Sequence, residues 1–300
     1  MNFSIFLQIL WTGIAVSSYV VLFSVAFSLI LKVVKIWNFA QAGLMCIAFY
    51  AMYVGFNYWA LPKPLSFLLG YLLTLGASWL LHHFGIEKLR QRNSTSLTFF
   101  IFTLVLSEMM TYVFALAFGT EPLSLTKSIM SPVHMVGGIV ISEWDIQALA
   151  MTSVVLVLLH VFMNRTKLGQ FMSAAADNPS LARLYGINVP RLHVYAFAVA
   201  ALLMTLGMYL FGQKVSMIPN TPLQMMLFAV IATLLGGMGN VFGAAWAAVA
   251  LSLLQALSIF VIPSQWQSLI LYVFLFVTIL FFPQGFSVQK LMAWIGGKKA

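Results

Sequence analysis

Polar residues interrupt the apolar segments of this sequence at two places where they could line a path for a polar solute. In the first, "IWNFAQAG" (36–43), Asn38 and Gln41 are three positions apart, so a helix would place both amides on one face. Amides on one face can bind a solute or hydrogen-bond a neighbouring helix, and both alternatives stay open. Gly43 completes this first group of candidates for the path.

The second place is the glycine-rich stretch "LLGGMGNVFG" (234–243). Gly236, Gly237 and Gly239 permit positive φ and close backbone approach, and Asn240 suits a turn or the cap of a following helix. A break of this kind leaves N–H and C=O groups that hydrocarbon cannot satisfy, so it must be buried in protein or face a wet cavity. It is either a tight turn between two spans or part of the path.

Glu108 is the one acidic residue well inside a predicted membrane span. Acidic residues at membrane depth are costly and usually functional, so Glu108 is a further candidate for the path. The alternatives are that it pairs with a neighbouring helix, or that it stays protonated and hydrogen-bonded.

The residues that an enzyme would need are missing from the sequence. It has five histidines, of which only His82 and His83 are adjacent, and it contains neither an H-E-x-x-H zinc motif nor a G-x-S-x-G nucleophile motif. No G-x-x-x-x-G-K-[ST] loop is present to bind nucleotide. The sequence therefore predicts a chain that is not an enzyme, with no metal site and no cofactor.

The composition is typical of a chain surrounded by lipid. Hydrophobic residues make up 62% of the 300 positions and charged residues 7%, whereas soluble domains have about 45–50% and about 25%. Apolar runs such as "SYVVLFSVAFSLIL" do not alternate as the strands of a membrane barrel do. The sequence predicts an all-α polytopic membrane protein, a single integral-membrane domain over 1–300 with about eight or nine transmembrane helices.

Breaks in hydropathy delimit nine candidate spans. The seventh of them is short for a full crossing and could be a half-helix. The spans lie near residues 7–31, 36–56, 64–84, 97–118, 146–163, 193–213, 223–236, 241–260 and 265–282.

The charges between the spans predict the orientation of the chain. Basic residues cluster at 32–35, 88–92, 165–191 and 290–299, and the positive-inside rule places these segments in the cytoplasm. The loop at 119–145 is rich in acidic residues and is placed outside. The N-terminus then lies outside and the C-terminus inside. The net charge of +9 belongs to cytoplasmic loops, and no nucleic-acid partner is expected.

The chain changes sides at each crossing, so the first span starts outside and the sixth span starts inside. Two related halves of the chain would therefore have inverted topologies. Broken helices at corresponding places in two inverted halves are typical of translocation sites in transporters. We predict discontinuous helices, interrupted at 36–43 and 234–243.

The stretch "NRTKLGQFMSAAADNPSLARLYGINVPRL" (164–192) is predicted to be an ordered cytoplasmic element. Its basic residues would cost about 2.5–3.5 kcal/mol each at membrane depth, so it lies in water or against a protein. Asp177 or Asn178 can cap a helix that Pro179 begins, and Gly186 suits the left-handed residue after its end. A helix of about two turns is not stable alone. It therefore either packs on the chain's own bundle or docks a partner.

Four stretches of the sequence resemble the permease subunits of branched-chain amino-acid ABC importers. Segment 176–188 looks like the cytoplasmic loop of that family, and "LLGGMGNVFGA" looks like its glycine-rich signature. "IWNFAQAG" is similar to its "INFAHG/E" segment, and "FFPQGF" (281–286) is similar to its closing proline–glycine motif. The four stretches occur in the order that the family has.

The resemblance implies partners and a location. In that family the cytoplasmic loop contacts the ATPase subunit, and the residues to which this role would pass are Asp177, Arg183, Leu184, Gly186 and Asn188. ATP hydrolysis would take place in separate cytoplasmic ABC ATPase subunits. A second permease subunit, homologous or identical, and a periplasmic or extracellular substrate-binding protein would complete the importer. The implied location is a bacterial-type cytoplasmic (inner) membrane.

The function implied by the resemblance is the translocation of branched-chain or other amino acids. The "GGMGN" form is also similar to related urea permeases, so transport of urea or another amide is an alternative. Inverted halves and broken helices would fit a stand-alone secondary transporter or channel as well. The ordered 164–192 element favours the ABC permease, because a self-sufficient carrier needs no docking helix for an ATPase.

Overall fold

A computed structural model describes residues 3–125 and 132–260, together with isolated residues between 263 and 280. Only these isolated residues represent the predicted span at 265–282. The "FFPQGF" motif and the basic tail at 290–299 lie outside the described residues.

The described chain is helical apart from one small hairpin. The helices are α1 (Phe3–Val34), α2 (Ala40–Tyr53), α3 (Lys63–Leu80), α4 (Glu87–Gln91), α5 (Ser96–Phe118), α6 (Glu143–Arg165), α7 (Lys167–Asp177), α8 (Pro179–Leu184), α9 (Val189–Lys214), α10 (Thr221–Gly236) and α11 (Val241–Ser258). A π-helical turn at Val54–Tyr58 continues α2, and a second at Leu81–Ile86 joins α3 to α4. Strands β1 (Val133–Val136) and β2 (Ile139–Ser142) pair antiparallel.

Within the described residues, six helical segments are long and apolar enough to cross a membrane: α1, α3 continued through α4, α5, α6, α9 and α11. Helix α10 is apolar but has only 16 residues. The α-helical part of α2 has 14 residues. These helices confirm the predicted all-α polytopic membrane protein.

Helix α1 lies at the centre of the bundle. In its most apolar 18-residue window 89% of the residues are buried, whereas the same measure is 22% for α5 and for α6. A helix that is apolar and buried all round must be surrounded by other helices. Helices α2 and α9 share this core, and α3, α5 and α6 expose large apolar side chains as lipid-facing helices do.

Small hydroxyl residues and glycine hold two of the outer helices against the core. Side chains four residues apart lie on one face of a helix. Small residues at such positions let neighbouring backbones approach closely in a membrane. The buried positions are Ser66, Gly70, Thr74 and Ser78 in α3, and Thr103, Ser107 and Thr111 in α5, which follow the larger Phe99 on the same face.

The bundle has two distinct ends. At the hairpin end, the side-chain amide of Gln8 donates to Val140 O (3.1 Å) and accepts from Val140 N (2.7 Å). At the same end Asp145, in the first turn of α6, binds Lys214, the last residue of α9 (2.5 Å). At the other end, which we call the basic end, α1 finishes beside Arg90.

Helix α1 runs from the hairpin end to the basic end, and α9 runs in the opposite direction. Each of them is followed by a break and then by a short helix: 35–39 precedes α2, and 215–220 precedes α10. The second break therefore lies before α10, whereas the predicted interruption at 234–243 follows it. A duplication of the two halves stays a prediction.

The first break is stabilised by a hydroxyl group of α5. Thr103 Oγ1 accepts from the backbone N–H of Phe39 (3.2 Å). Its own proton lies within reach of Phe99 O in the same helix (2.9 Å) and of Trp37 O in the break (3.2 Å). Thr103 and Phe39 are both buried. The hydroxyl replaces backbone hydrogen bonds that a continuous helix would make, which lipid could not replace.

The second break is stabilised by the chain that follows α5. Leu123 and Met217 exchange two backbone hydrogen bonds, with Leu123 N donating to Met217 O (2.9 Å) and Met217 N donating to Leu123 O (2.7 Å). Leu125 N also donates to Gly212 O (3.2 Å), near the end of α9. The start of the predicted 119–145 loop thus enters the bundle and pairs with the break.

We expect Thr103→Val to lower the melting temperature of the purified protein. The substitution preserves shape but leaves the buried N–H of Phe39 without an acceptor, a loss of about 1–3 kcal/mol. Thr74→Val is the matched control, because Thr74 is equally buried and donates only within its own helix, to Gly70 O (2.7 Å). Equal melting temperatures for the two variants would contradict the role given to Thr103.

Candidate functional site

The amides of Asn38 and Gln41 lie at the first break and are fully buried. Among the described residues, none hydrogen-bonds to the nitrogen or the oxygen of either side-chain amide. Gly43, two residues after Gln41 in α2, faces Met110 of α5, whose sulfur would lie 2.6 Å from an added Cβ. The structure thus places both predicted amides at the first break, and it places Gly43 at a close contact between α2 and α5.

A buried amide without a partner is unusual, since most buried polar side chains make at least one hydrogen bond. Each amide offers two donors and one acceptor oxygen. Of the two alternatives raised by the sequence, a hydrogen bond to a neighbouring helix is not seen for Asn38 or Gln41 within the described residues. Their hydrogen-bonding groups remain available to a group from outside this part of the chain.

Glu108 lies half-buried on α5, between the face that packs on the core and the face that is exposed. It is close enough to Cys46 of α2 to interact with it electrostatically. Among the described residues, neither a hydrogen bond nor an ion pair involves its carboxylate. Of the three alternatives, pairing with a neighbouring helix is therefore not seen in the described part of this chain.

The glycine-rich stretch forms a tight turn between α10 and α11. Gly237 and Gly239 have φ of +94° and +85°, and Asn240 N donates to Gly237 O (3.0 Å). The side chain of Asn240 caps α11 by accepting from Gly243 N (2.9 Å). Gly236 packs directly on the backbone of Gly243, which leaves no room for a Cβ. This geometry is that of a tight turn between two spans, the first of the two alternatives for this stretch. A role in the path stays a prediction.

The 164–192 element contains more helix than the sequence predicted. Helix α7 (Lys167–Asp177) precedes the expected helix, and Thr166 caps it by accepting from Gly169 N (3.1 Å). The expected helix, α8, ends at Leu184 rather than near Tyr185. The sequence indicated one helix in this element, begun by Pro179, and did not indicate α7.

The caps of α8 are those that the sequence indicated. Of the two candidates for the first cap, Asn178 accepts from Leu181 N (3.0 Å), and Asp177 ends α7 instead. Gly186 has φ of +78° and donates to Arg183 O (3.0 Å). Asn188 then caps α9 by accepting from Arg191 N (3.2 Å), a function that the sequence had not suggested.

Helix α8 has a buried side and an exposed apolar side. Ala182 is buried against the bundle. Leu184 and Tyr185 are 84% and 79% exposed, and Leu181 is also exposed. Arg183, Asp177 and Asn188 are exposed around them. The residues implied by the resemblance thus lie on one accessible surface at the basic end.

A cluster at the basic end was not identified from the sequence as a site. The guanidinium of Arg90 donates to Val34 O (2.8 Å), the last carbonyl of α1, and to the ring of His193 (2.9 Å). Among the described residues, His82, Glu87 and His193 are one group whose ligand atoms lie within 4.8 Å of one another. Their side-chain types could hold a metal ion, but the guanidinium in contact with His193 opposes a divalent cation.

A cavity of about 280 Å³ lies between α1, α10 and α11. Its polar lining includes Thr12, Gln224 and Gln255, and the buried hydroxyl of Ser252 has no partner among the described residues. Neither Asn38 nor Gln41 lines it.

Comparison with known proteins gives a consistent result. The family model described as the permease component of the branched-chain amino acid transport system matches residues 9–280. The chain is 24% identical over 291 residues to the high-affinity branched-chain amino acid transport system permease protein BraD of Pseudomonas aeruginosa, across 93% of this chain and 95% of BraD. It is 24% identical over 299 residues to the corresponding protein LivH of Escherichia coli, across 95% and 96%.

A solved structure shares the arrangement of the helices. It is a chain of PsaBC from Streptococcus pneumoniae in complex with Fab, with a TM-score of 0.51 and 14% sequence identity. The superposition covers 93% of this chain and 92% of that chain. At this identity the likeness concerns the fold alone.

We expect Gly237→Ala to lower the melting temperature. A residue with a Cβ is strained at a φ of +94°, at a cost of about 1–3 kcal/mol. Gly76→Ala is the control, because Gly76 lies within α3 and an added Cβ would meet no atom within 4 Å. It should leave stability unchanged or raise it slightly, since alanine favours helix. The turn geometry would be wrong if Gly237→Ala melted no lower than Gly76→Ala.

Proposed function

The chain belongs to the family of permease components of the branched-chain amino acid transport system, and we propose that it forms the translocation path of an ATP-binding-cassette importer. The proposed solutes are branched-chain or other amino acids. Similarity to BraD and LivH over nearly the whole chain supports this choice. ATP hydrolysis is assigned to separate subunits, since the sequence has no phosphate-binding loop.

The observation that carries the proposal is the exposed apolar surface of α8. Leu184 is 84% exposed at the basic end, on a helix that Ala182 holds against the bundle. An apolar surface of this kind is stabilised when a partner removes it from water. We assign it to docking of the cytoplasmic ABC ATPase subunits. Arg183 and Asp177 would provide charged contacts, and Gly186 and Asn188 would fix the angle at which α8 is presented.

The solute path is proposed to follow α2 and α5. The buried amides of Asn38 and Gln41 supply donors and acceptors that the described chain does not use. A zwitterionic amino acid has an ammonium and a carboxylate, and it needs both kinds of group in place of its hydration shell. Gly43 allows α2 and α5 to lie close together near the start of α2.

Glu108 and the α10–α11 turn would extend this path in opposite directions. Glu108 lies on the edge of α5, where a second permease subunit, homologous or identical, could cover it. Gly236, Gly237, Gly239 and Asn240 would border the mouth of the path at the basic end. The ring of Phe242, just after this turn, lies 5.0 Å from the ring of His160, which is near the basic end of α6.

The proposed orientation places the basic end in the cytoplasm and the hairpin end outside. The clusters of arginine and lysine near Lys35, Arg90 and α8 support it through the positive-inside rule. The N-terminus of α1 would then lie outside, in a bacterial-type cytoplasmic membrane. A periplasmic or extracellular substrate-binding protein would deliver the solute at the hairpin end.

The mechanism we propose is alternating access. Closure of the ATPase subunits would displace α8, and the helices at the two breaks would rock around the buried amides. Both breaks are suited to this motion, because they are joined to the bundle by a few specific hydrogen bonds rather than by continuous helix.

We expect Gly186→Leu to uncouple ATP hydrolysis from uptake in proteoliposomes that contain the complete importer. A leucine at a φ of +78° is strained, by about 1–2 kcal/mol. No described atom of this chain lies within 4 Å of the added Cβ, so the strain comes from the backbone conformation and not from a clash at that atom. The ratio of uptake to hydrolysis should fall by about fivefold or more.

Gly186→Asn is the matched control for this effect, because asparagine tolerates the left-handed conformation, and it should retain most of the coupling. Normal uptake by Gly186→Leu would show that the geometry of α8 does not matter for coupling.

We expect Gln41→Leu to abolish uptake without lowering the melting temperature. Replacing an unpartnered buried amide by an apolar group of similar size is nearly neutral or stabilising. Gln8→Leu is the contrasting variant, because the amide of Gln8 makes two hydrogen bonds to Val140, and it should melt earlier. A fall in the melting temperature of Gln41→Leu as large as that of Gln8→Leu would identify Gln41 as a structural contact.

A further inference from the structure

We infer that Arg90 is a positioning residue that transmits movement of α8 to the first break, where the amides of Asn38 and Gln41 lie. This inference rests on the proposed function, because it assumes that an ATPase moves α8. It adds a residue that neither the resemblance nor the family match assigns. It also names the contacts through which α8 would act on the first break.

Arg90 joins two helices that do not belong to its own segment of the chain. It lies on the short helix α4, and its guanidinium donates to the last carbonyl of α1, Val34 O (2.8 Å). The same guanidinium lies 2.9 Å from the ring nitrogen Nδ1 of His193, in α9. A planar guanidinium with several donors in fixed directions can hold two acceptors at once, which a lysine ammonium does with less geometric control.

The α9 side of this contact is directly connected to α8. The chain leaves α8 through Gly186 and enters α9 through the cap of Asn188, so only a few residues separate the two helices. His193 lies in the second turn of α9 and is buried. Arg183 of α8 is also close enough to act electrostatically on both Arg90 and His193. A displacement of α8 would therefore reach His193 and Arg90 through covalent and electrostatic contacts.

The α1 side of this contact is directly connected to the break. Val34 ends α1, and the next residue, Lys35, has φ of +62°, which is strained for a residue other than glycine. At the other side of the break, Phe39 N is held by Thr103 (3.2 Å). The segment 35–38 is thus fixed at both ends, by Arg90 and by Thr103. A movement of Val34 must change its backbone, and Asn38 lies within it.

The surroundings of Arg90 suit a mechanical link rather than a metal site. Glu87 and His82 lie beside it on the same segment, and Glu87 is the acidic group that acts on both of them electrostatically. The cation that His193 contacts is the guanidinium itself. The positive charge also lies at the C-terminal end of α1, where a cation stabilises the helix dipole.

The test uses the importer purified with its ATPase subunits in lipid nanodiscs. The single cysteine is removed by Cys46→Ser, and Asn38→Cys provides a reporter whose labelling rate by a thiol reagent is measured with and without ATP. Arg90→Gln and His193→Asn each break the contact. Arg92→Gln is the matched control, because Arg92 follows α4 and is exposed. Uptake is measured in parallel in chains that keep Asn38.

We expect Arg90→Gln and His193→Asn to co-purify with the ATPase subunits as the unchanged chain does. The ATP-dependent change in labelling at position 38 should fall by about fivefold or more, the lower range of coupling between sites. Uptake should fall with it. Arg90→Lys should give an intermediate loss, because an ammonium can be placed well for only one of the two acceptors. Arg92→Gln should behave as the unchanged chain.

The inference is overturned if Arg90→Gln keeps the full ATP-dependent change at position 38. If Arg90→Gln does not fold, a full ATP-dependent change at position 38 in His193→Asn would overturn the inference. Failure of the unchanged chain to bind ATPase subunits would overturn the proposed function, and the inference with it. If ATPase binding and the labelling change both survive in the variants, the inference alone is wrong.

Discussion

A backbone N–H or C=O group inside a bilayer has no water to bind, and this constraint organises the whole structure. The chain interrupts its helices at 35–39 and at 215–220, and each break is supplied with a specific partner. Thr103 provides a hydroxyl for the first, and the backbone of Leu123 provides donors and acceptors for the second. Broken helices are therefore stable here without continuous hydrogen bonding along the chain.

The candidate site follows from what these partners leave unsatisfied. The hydroxyl of Thr103 satisfies the backbone of the first break, but the side-chain amides of Asn38 and Gln41 stay buried without a partner in the described chain. The opposite situation holds at α8, where polar groups are capped by Asn178 and Gly186 while Leu184 stays exposed. One region lacks a polar ligand and the other lacks an apolar cover. We propose that a solute completes the first region and a docked subunit completes the second.

The sequence predicted those features that depend on local chemistry. The apolar runs predicted the helices, and the proline and glycine that flank α8 predicted its position and the positive φ of Gly186. Contacts between distant segments could not be predicted in this way. Nothing local indicates that Thr103 serves a backbone 64 residues away. The β1–β2 hairpin was missed although two glycines between alternating apolar residues are a hairpin signal. The sequence predicted a break at the glycine-rich turn after α10, whereas the second break in the structure, at 215–220, contains no glycine.

We propose that the surface around Leu184 faces the cytoplasm and is covered by an ATPase subunit. The most direct measurement is thiol labelling of Leu184→Cys in a chain that carries Cys46→Ser, compared between intact cells and inside-out membrane vesicles. We predict labelling only in the vesicles, and protection when the ATPase subunits are bound. Labelling from the outer face of intact cells, or equal labelling with and without the ATPase subunits, would contradict this account.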